Sequence, residues 1–215
     1  MQSITEILAK SNMSNRLITD FDLKALLPGT NASRYALVNK AIQKGELIHL
    51  KRGVYIVKHP LISSSFTQYY IACQMVAHSY ISFESALSYH QWIPERVSII
   101  SCALLKGRSK TYTTPLGQFQ YQKVITQPYE GLTAVERVCI QSKPTLIASP
   151  VRAFFDLVYE RKLEWQGIRF LTDSLRIEPD NLSAFSLEVL EQFEMVYRSK
   201  KINHFISHMK KALFS

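Results

Sequence analysis

Ala36, Asn39, Lys40 and Gln43 carry the chemistry that reads a nucleic-acid duplex, provided that a helix puts them on one face. With each helical residue advancing about 100°, these four fall together, opposite Val38, Ala41 and Ile42. Asn and Gln bond adenine bidentately, Lys reaches guanine or phosphate, and Ala meets a thymine methyl. Ser33 opens the same helix. Arg34 falls by this arithmetic toward the buried side, where it either closes the first turn or reaches a phosphate from the helix end. Lys51 and Arg52, beside Gly53, form a compact cationic tip suited to phosphate or to the minor groove. The plain alternatives are a solvated basic turn and the polar face that any amphipathic helix needs.

Other constellations are weaker. His204 and His208 have the i, i+4 spacing that shares a metal, but no HExxH glutamate lies between them and no third ligand is identifiable. His78, Glu84 and His90 fit no catalytic template, and Ser82 and Ser88 lack a GxSxG turn. Without a Walker loop or a GxGxxG, nucleotide chemistry has no anchor. The expectation is therefore no catalytic residue, no metal and no cofactor. Lys106, Arg108 and Lys110 around Gly107 suit a second nucleic-acid contact, a partner-binding edge, or a turn whose charges keep neighbouring strands from aggregating. Tyr69, Tyr70, Tyr80, Tyr89 and Trp92 are either a stacking surface or core.

The elements that must position these groups follow from periodicity. Ile4, Ile7 and Leu8 predict a short helix ending around Ser11 to Ser14. Thr19 and Asp22 resemble a capping box for a second helix that Pro28-Gly29 ends, and a third runs from about Ser33 to Lys44, stopped by Gly45. Beyond it Ile48, Leu50 and Val54 to Val57 read as a hairpin turning at Gly53. Helix, helix, helix, basic hairpin is the order of a winged helix-turn-helix. Past Pro60 the pattern predicts helices over about 66–77 and 82–90, a β-rich stretch over 97–126, a helix after Pro150 and another over roughly 183–213.

The chain has 215 residues, 47% of them hydrophobic, enough for one ordinary domain or two small ones. Its net charge of +9 attracts polyanions. Residues 1–60 hold nine Lys and Arg against four Asp and Glu, so more than half the excess sits in little more than a quarter of the chain. Three cysteines with no CxxC point to a reducing compartment, and the N-terminus lacks the pattern of a signal peptide, so a cytoplasmic location is expected. His59 to Phe83 carries no charge, yet its serines, glutamines and histidine are incompatible with a membrane span.

Four ordered phrases resemble the AbiEi-type antitoxins and related transcriptional regulators of bacterial abortive-infection systems. They are LVNKAIQKGELIHLKRGVYIV at Leu37 to Val57, SYISFESALSYHQWIPERV at Ser79 to Val97, GRSKTYTTPLGQFQY at Gly107 to Tyr121, and ASPVRAFFDLVY at Ala148 to Tyr159. The resemblance implies a winged helix-turn-helix that binds the promoter of its own operon, a C-terminal domain needed for antitoxin action, and a partner gene encoding a nucleotidyltransferase-like toxin. Val151-Arg152 stand where such proteins often show Glu-Lys, and residues 161–215 match no phrase of the family.

The resulting expectation is an α+β protein: a winged helix-turn-helix over 1–60, then a mixed helix and antiparallel-sheet domain over 61–215. It would act as a non-enzymatic, autoregulating repressor and antitoxin of a type IV toxin-antitoxin operon. Double-stranded DNA with inverted repeats is its partner, the toxin its functional counterpart with direct contact left open, and the membrane is not involved. The rivals are a stand-alone regulator whose second domain senses a ligand or partner, and a nucleic-acid-processing enzyme that positions substrate with a winged helix.

Overall fold

The fold, a computed structural model, describes residues 3–11, 13, 14, 16–58 and 65–214. Its first helices are held by reciprocal caps. At α1, Ile4–Lys10, the Ser3 hydroxyl accepts from the Glu6 amide and the Glu6 carboxylate accepts from the Ser3 amide. Thr19 and Asp22 make the same pair at α2, Asp20–Leu26, so each helix start satisfies two otherwise unpaired groups. The third helix, α3, spans Asn31–Gln43 and begins two residues before Ser33, because Thr30 is the residue whose hydroxyl accepts from the Ser33 amide. After it Gly45 takes φ +69°, the left-handed backbone that ends helices at little steric cost.

The hairpin forms as expected from β2, Leu47–Lys51, and β3, Val54–Val57, with Gly53 at φ +71° in the turn. A two-residue strand, β1, Ile18–Thr19, pairs with the other edge of β3, giving an antiparallel sheet of order β1-β3-β2. Two residues are too few for any alternation to announce a strand.

The rest of the chain is α4 (Ser65–Met75), β4 (Ser79–Ile81), α5 (Phe83–Tyr89), β5 (Ile99–Leu104), β6 (Lys110–Thr114), β7 (Gly117–Lys123), β8 (Val135–Ile140), β9 (Lys143–Ala148), α6 (Pro150–Arg161), α7 (Leu187–Glu194) and α8 (Lys200–Phe214). The six later strands form one sheet of order β6-β7-β5-β4-β9-β8. Against the antiparallel expectation it is mixed: β5 runs parallel to β7, and β4 to β9. Within the β-rich stretch expected over 97–126, β7 alternates, with Phe119 and Tyr121 fully buried between Gln118, Gln120 and Gln122. The β8–β9 hairpin gave no such signal, because Glu136, Arg137 and Cys139 of β8 all face solvent. The helix expected over 183–213 is broken into a 3-10 turn at Pro179–Ala184, α7 and α8.

Two hydrophobic clusters organise the packing. Leu8, Leu23, Val38 and Ala41 join Leu47 and Tyr55 from one face of the hairpin, while Leu50 and Ile56 from its other face join the cluster of the larger sheet. The hairpin is thus shared, and β2 lies against β6. The boundary expected near Pro60 falls outside the described residues.

A fully buried polar network holds the second cluster together. The Arg152 guanidinium donates to Asp156 at 3.0 Å, to the Tyr80 hydroxyl at 2.6 Å and to the carbonyls of Glu130, Gly131 and Thr133. Asp156 also accepts from the hydroxyls of Tyr80, Ser82 and Tyr197. Burial, followed by the Asp156 charge, holds the hydroxyls of Tyr80 and Tyr197 well above the ordinary tyrosine value, and burial pushes Tyr69 up to about 12. These groups are protonated in both folded and unfolded chains below pH 10, so their contribution is complete there. Above it the unfolded chain ionises first, and stability falls by about 1.4 kcal/mol per tyrosine per pH unit. Urea unfolding between pH 8 and pH 11 checks this; a flat profile above pH 10 contradicts it.

Candidate nucleic-acid interface

The α3 helix presents the predicted face. Val38 and Ala41 are buried and Ile42 half-buried, whereas Ser33, Ala36, Asn39, Lys40 and Gln43 are all exposed. Its partner surface is β2, on which α3 packs. Sequence reasoning missed two aromatics on this side of the molecule: Tyr35 of α3 is 51% exposed and Phe21 of α2 81%, and both line a shallow cleft between the two helices. An apolar residue in the first turn of α2 reads as core by periodicity alone, and only the three-dimensional packing shows that Phe21 is not.

Arg34 follows the first of its two expected courses. Its guanidinium donates to the Gly29 carbonyl at 2.5 Å and to the Asn31 side-chain oxygen at 2.5 Å, locking the turn between α2 and α3. Ser33 is engaged in the same turn, its hydroxyl donating to the Thr30 carbonyl at 2.9 Å. Both residues shape the start of α3, whereas Asn39, Lys40 and Gln43 make no side-chain hydrogen bond to protein among the described residues.

The two basic groups read separately in the sequence converge. Lys51 ends β2 with its ammonium 5.6 Å from the centre of the Tyr112 ring, a cation–π distance, and Lys110 stands close enough to repel it. Partial burial, then that repulsion, lowers the Lys51 amine from its ordinary value. Arg52 is exposed at the turn, and Lys106 and Arg108 are exposed on the loop leading into β6. Among the described residues no carboxylate lies within ion-pair distance of any of these five cations. Lys51 is therefore less free than a solvated turn residue, and the surface it belongs to extends across β6.

The weaker candidates scatter. His78 is exposed in a left-handed turn, Glu84 pairs with Arg161, and the His90 ring bonds the Ala148 carbonyl. Tyr69, Tyr80 and Trp92 are core and Tyr70 and Tyr89 pack partly against it, so these five aromatics form no open stacking surface. Among the described residues no group of three His, Cys, Asp or Glu could hold a metal, and no helix is long and apolar enough to cross a membrane. No protein-family model matches the chain, and no curated protein matches it in sequence.

Proposed function

We propose that residues 1–60 are a winged helix-turn-helix that binds duplex DNA upstream of the protein's own gene, and that the whole chain is an autoregulating repressor and the antitoxin of a toxin-antitoxin operon. The observation that carries the DNA reading is the exposed Asn39, Lys40 and Gln43 face beside a hairpin whose Lys51 and Arg52 have no carboxylate partner among the described residues. The element order α1-β1-α2-α3-β2-β3 supports it, being that of a winged helix. In this reading α3 enters the major groove while Lys51, Arg52 and the Lys106–Lys110 loop hold phosphates. The antitoxin role rests on the four phrases resembling AbiEi-type proteins and assigns neutralisation of a nucleotidyltransferase-like toxin to residues 61–215.

Two measurements test the two parts. A footprint on the upstream DNA is expected to show discrete protection, repeated if the operator holds inverted half-sites; protection no different from that of unrelated DNA contradicts repression. Expression of the neighbouring reading frame is expected to arrest growth unless this protein is supplied. A harmless neighbour removes the antitoxin role and leaves the stand-alone regulator.

A further inference from the structure

A cavity of about 500 Å³ lies between α8 and the chain that leaves α6, and none of the nucleic-acid candidates above lines it. Its apolar wall is Leu163, Trp165 and Phe205. Facing it are Lys200, Lys201, His204 and His208, with Glu164 as the one carboxylate among the described lining residues. The volume lies in the range of small-molecule sites, roughly 300 to 1,000 Å³.

The chemistry of the walls is specific. The Trp165 ring is pinned edge-on against Phe205 at 5.3 Å, yet the residue is only partly buried, so part of the indole remains open to contact. Lys200 and Lys201 are exposed and form no ion pair among the described residues, with Glu164 or any other carboxylate. Lys200, His204 and His208 follow at four-residue steps and so form one stripe along α8. The His208 Nδ1–H donates to the His204 carbonyl at 2.9 Å, which orients the His208 ring, and the two ring centres stand 4.2 Å apart. Lys200 and Lys201 against Glu164 give the described lining an excess of one positive charge. That arrangement complements a ligand with a planar ring at one end and about −1.5 to −2 charges at the other, the charge of a phosphomonoester near pH 7.

We propose that this cavity binds an aromatic phosphomonoester, of which a nucleoside 5′-monophosphate is the simplest, with the ring stacked on Trp165 and the phosphate held by Lys200, Lys201 and His204. A free nucleotide and the 5′-phosphorylated end of a nucleic-acid strand share this chemistry. The site is independent of the DNA reading, since none of its residues belongs to α3 or the hairpin.

The test titrates the full chain with AMP, adenosine, inorganic phosphate and a 5′-phosphorylated trinucleotide, following tryptophan fluorescence. The only other tryptophan, Trp92, is buried against Phe185, so quenching by added ligand reports on Trp165. Saturable AMP binding about tenfold or more tighter than that of adenosine and of phosphate is expected, because only AMP engages both ends. The ranking of AMP against the trinucleotide assigns the source. The exposed pair K200Q/K201Q is expected to weaken AMP about tenfold and leave adenosine unchanged, while W165F, followed by calorimetry, weakens both. Absence of AMP binding at millimolar concentration, equal affinity for adenosine, or unchanged AMP binding in K200Q/K201Q overturns the proposal.

Discussion

Replacing Arg152 by methionine is expected to lower the free energy of unfolding by about 3 to 5 kcal/mol, the cost of leaving a buried charge without its partner. The substitution strands Asp156, and it leaves the carbonyls of Glu130, Gly131 and Thr133 without their donor. Pairing it with Asp156→Leu removes the stranded charge but also the acceptor of the Tyr80, Ser82 and Tyr197 hydroxyls, so the double variant recovers only part of the loss while costing less than the sum of the two single changes. Urea denaturation of the wild type and the three variants measures the cycle. A loss below about 1 kcal/mol for Arg152→Met, or simple additivity, means that the network does not act as a unit.

The second large effect separates reading from holding. Asn39→Ala or Gln43→Ala is expected to cost about 1 to 3 kcal/mol on the operator and little on random DNA, because in the proposed binding mode each would lose a bidentate base contact. The pair Lys51→Ala with Arg52→Ala weakens both duplexes alike. All four residues have limited structural roles: Asn39, Gln43 and Arg52 are exposed, and Lys51 rests on one face of Tyr112. Circular dichroism establishes folding before affinities are compared. Intact discrimination in both the Asn39 and Gln43 variants places base reading elsewhere on the protein, with the exposed Tyr35 the nearest alternative.

The N-terminal elements were legible because their signals are local. Thr19 with Asp22, the Gly45 stop and the Val38–Ala41 spacing each lie within one or two helical turns, and the structure keeps all three. The α3 face followed from the same arithmetic. What the sequence hid depends on distant neighbours: β1 exists only because β3 pairs with it, and β8 is a strand although it shows solvent an acid, a base and a cysteine. Arg152 looked like a departure from a family phrase, yet it is the centre of a buried network whose partners lie up to 72 residues away in the chain. The meeting of Lys51 with Lys110 and Tyr112 was equally invisible, since both basic segments were readable but their contact across the hairpin was not. Even so, the glutamines of β7 alternate with the buried Phe119 and Tyr121, the local period that marks a strand.

The central claim is that this cationic, polar-faced surface binds a particular duplex, and a salt series on the protein's own upstream DNA tests it most directly. Neutralising about four to six phosphates through the hairpin, the β6 loop and α3 makes log affinity fall against log salt with a slope of roughly −4 to −5 per bound protein. Fluorescence anisotropy at several salt concentrations, on the upstream region and on a shuffled duplex of equal length, gives both slope and specificity. The account predicts that steep slope together with tighter binding to the upstream region at every salt concentration. A flat response, or equal affinity for the two duplexes, contradicts it.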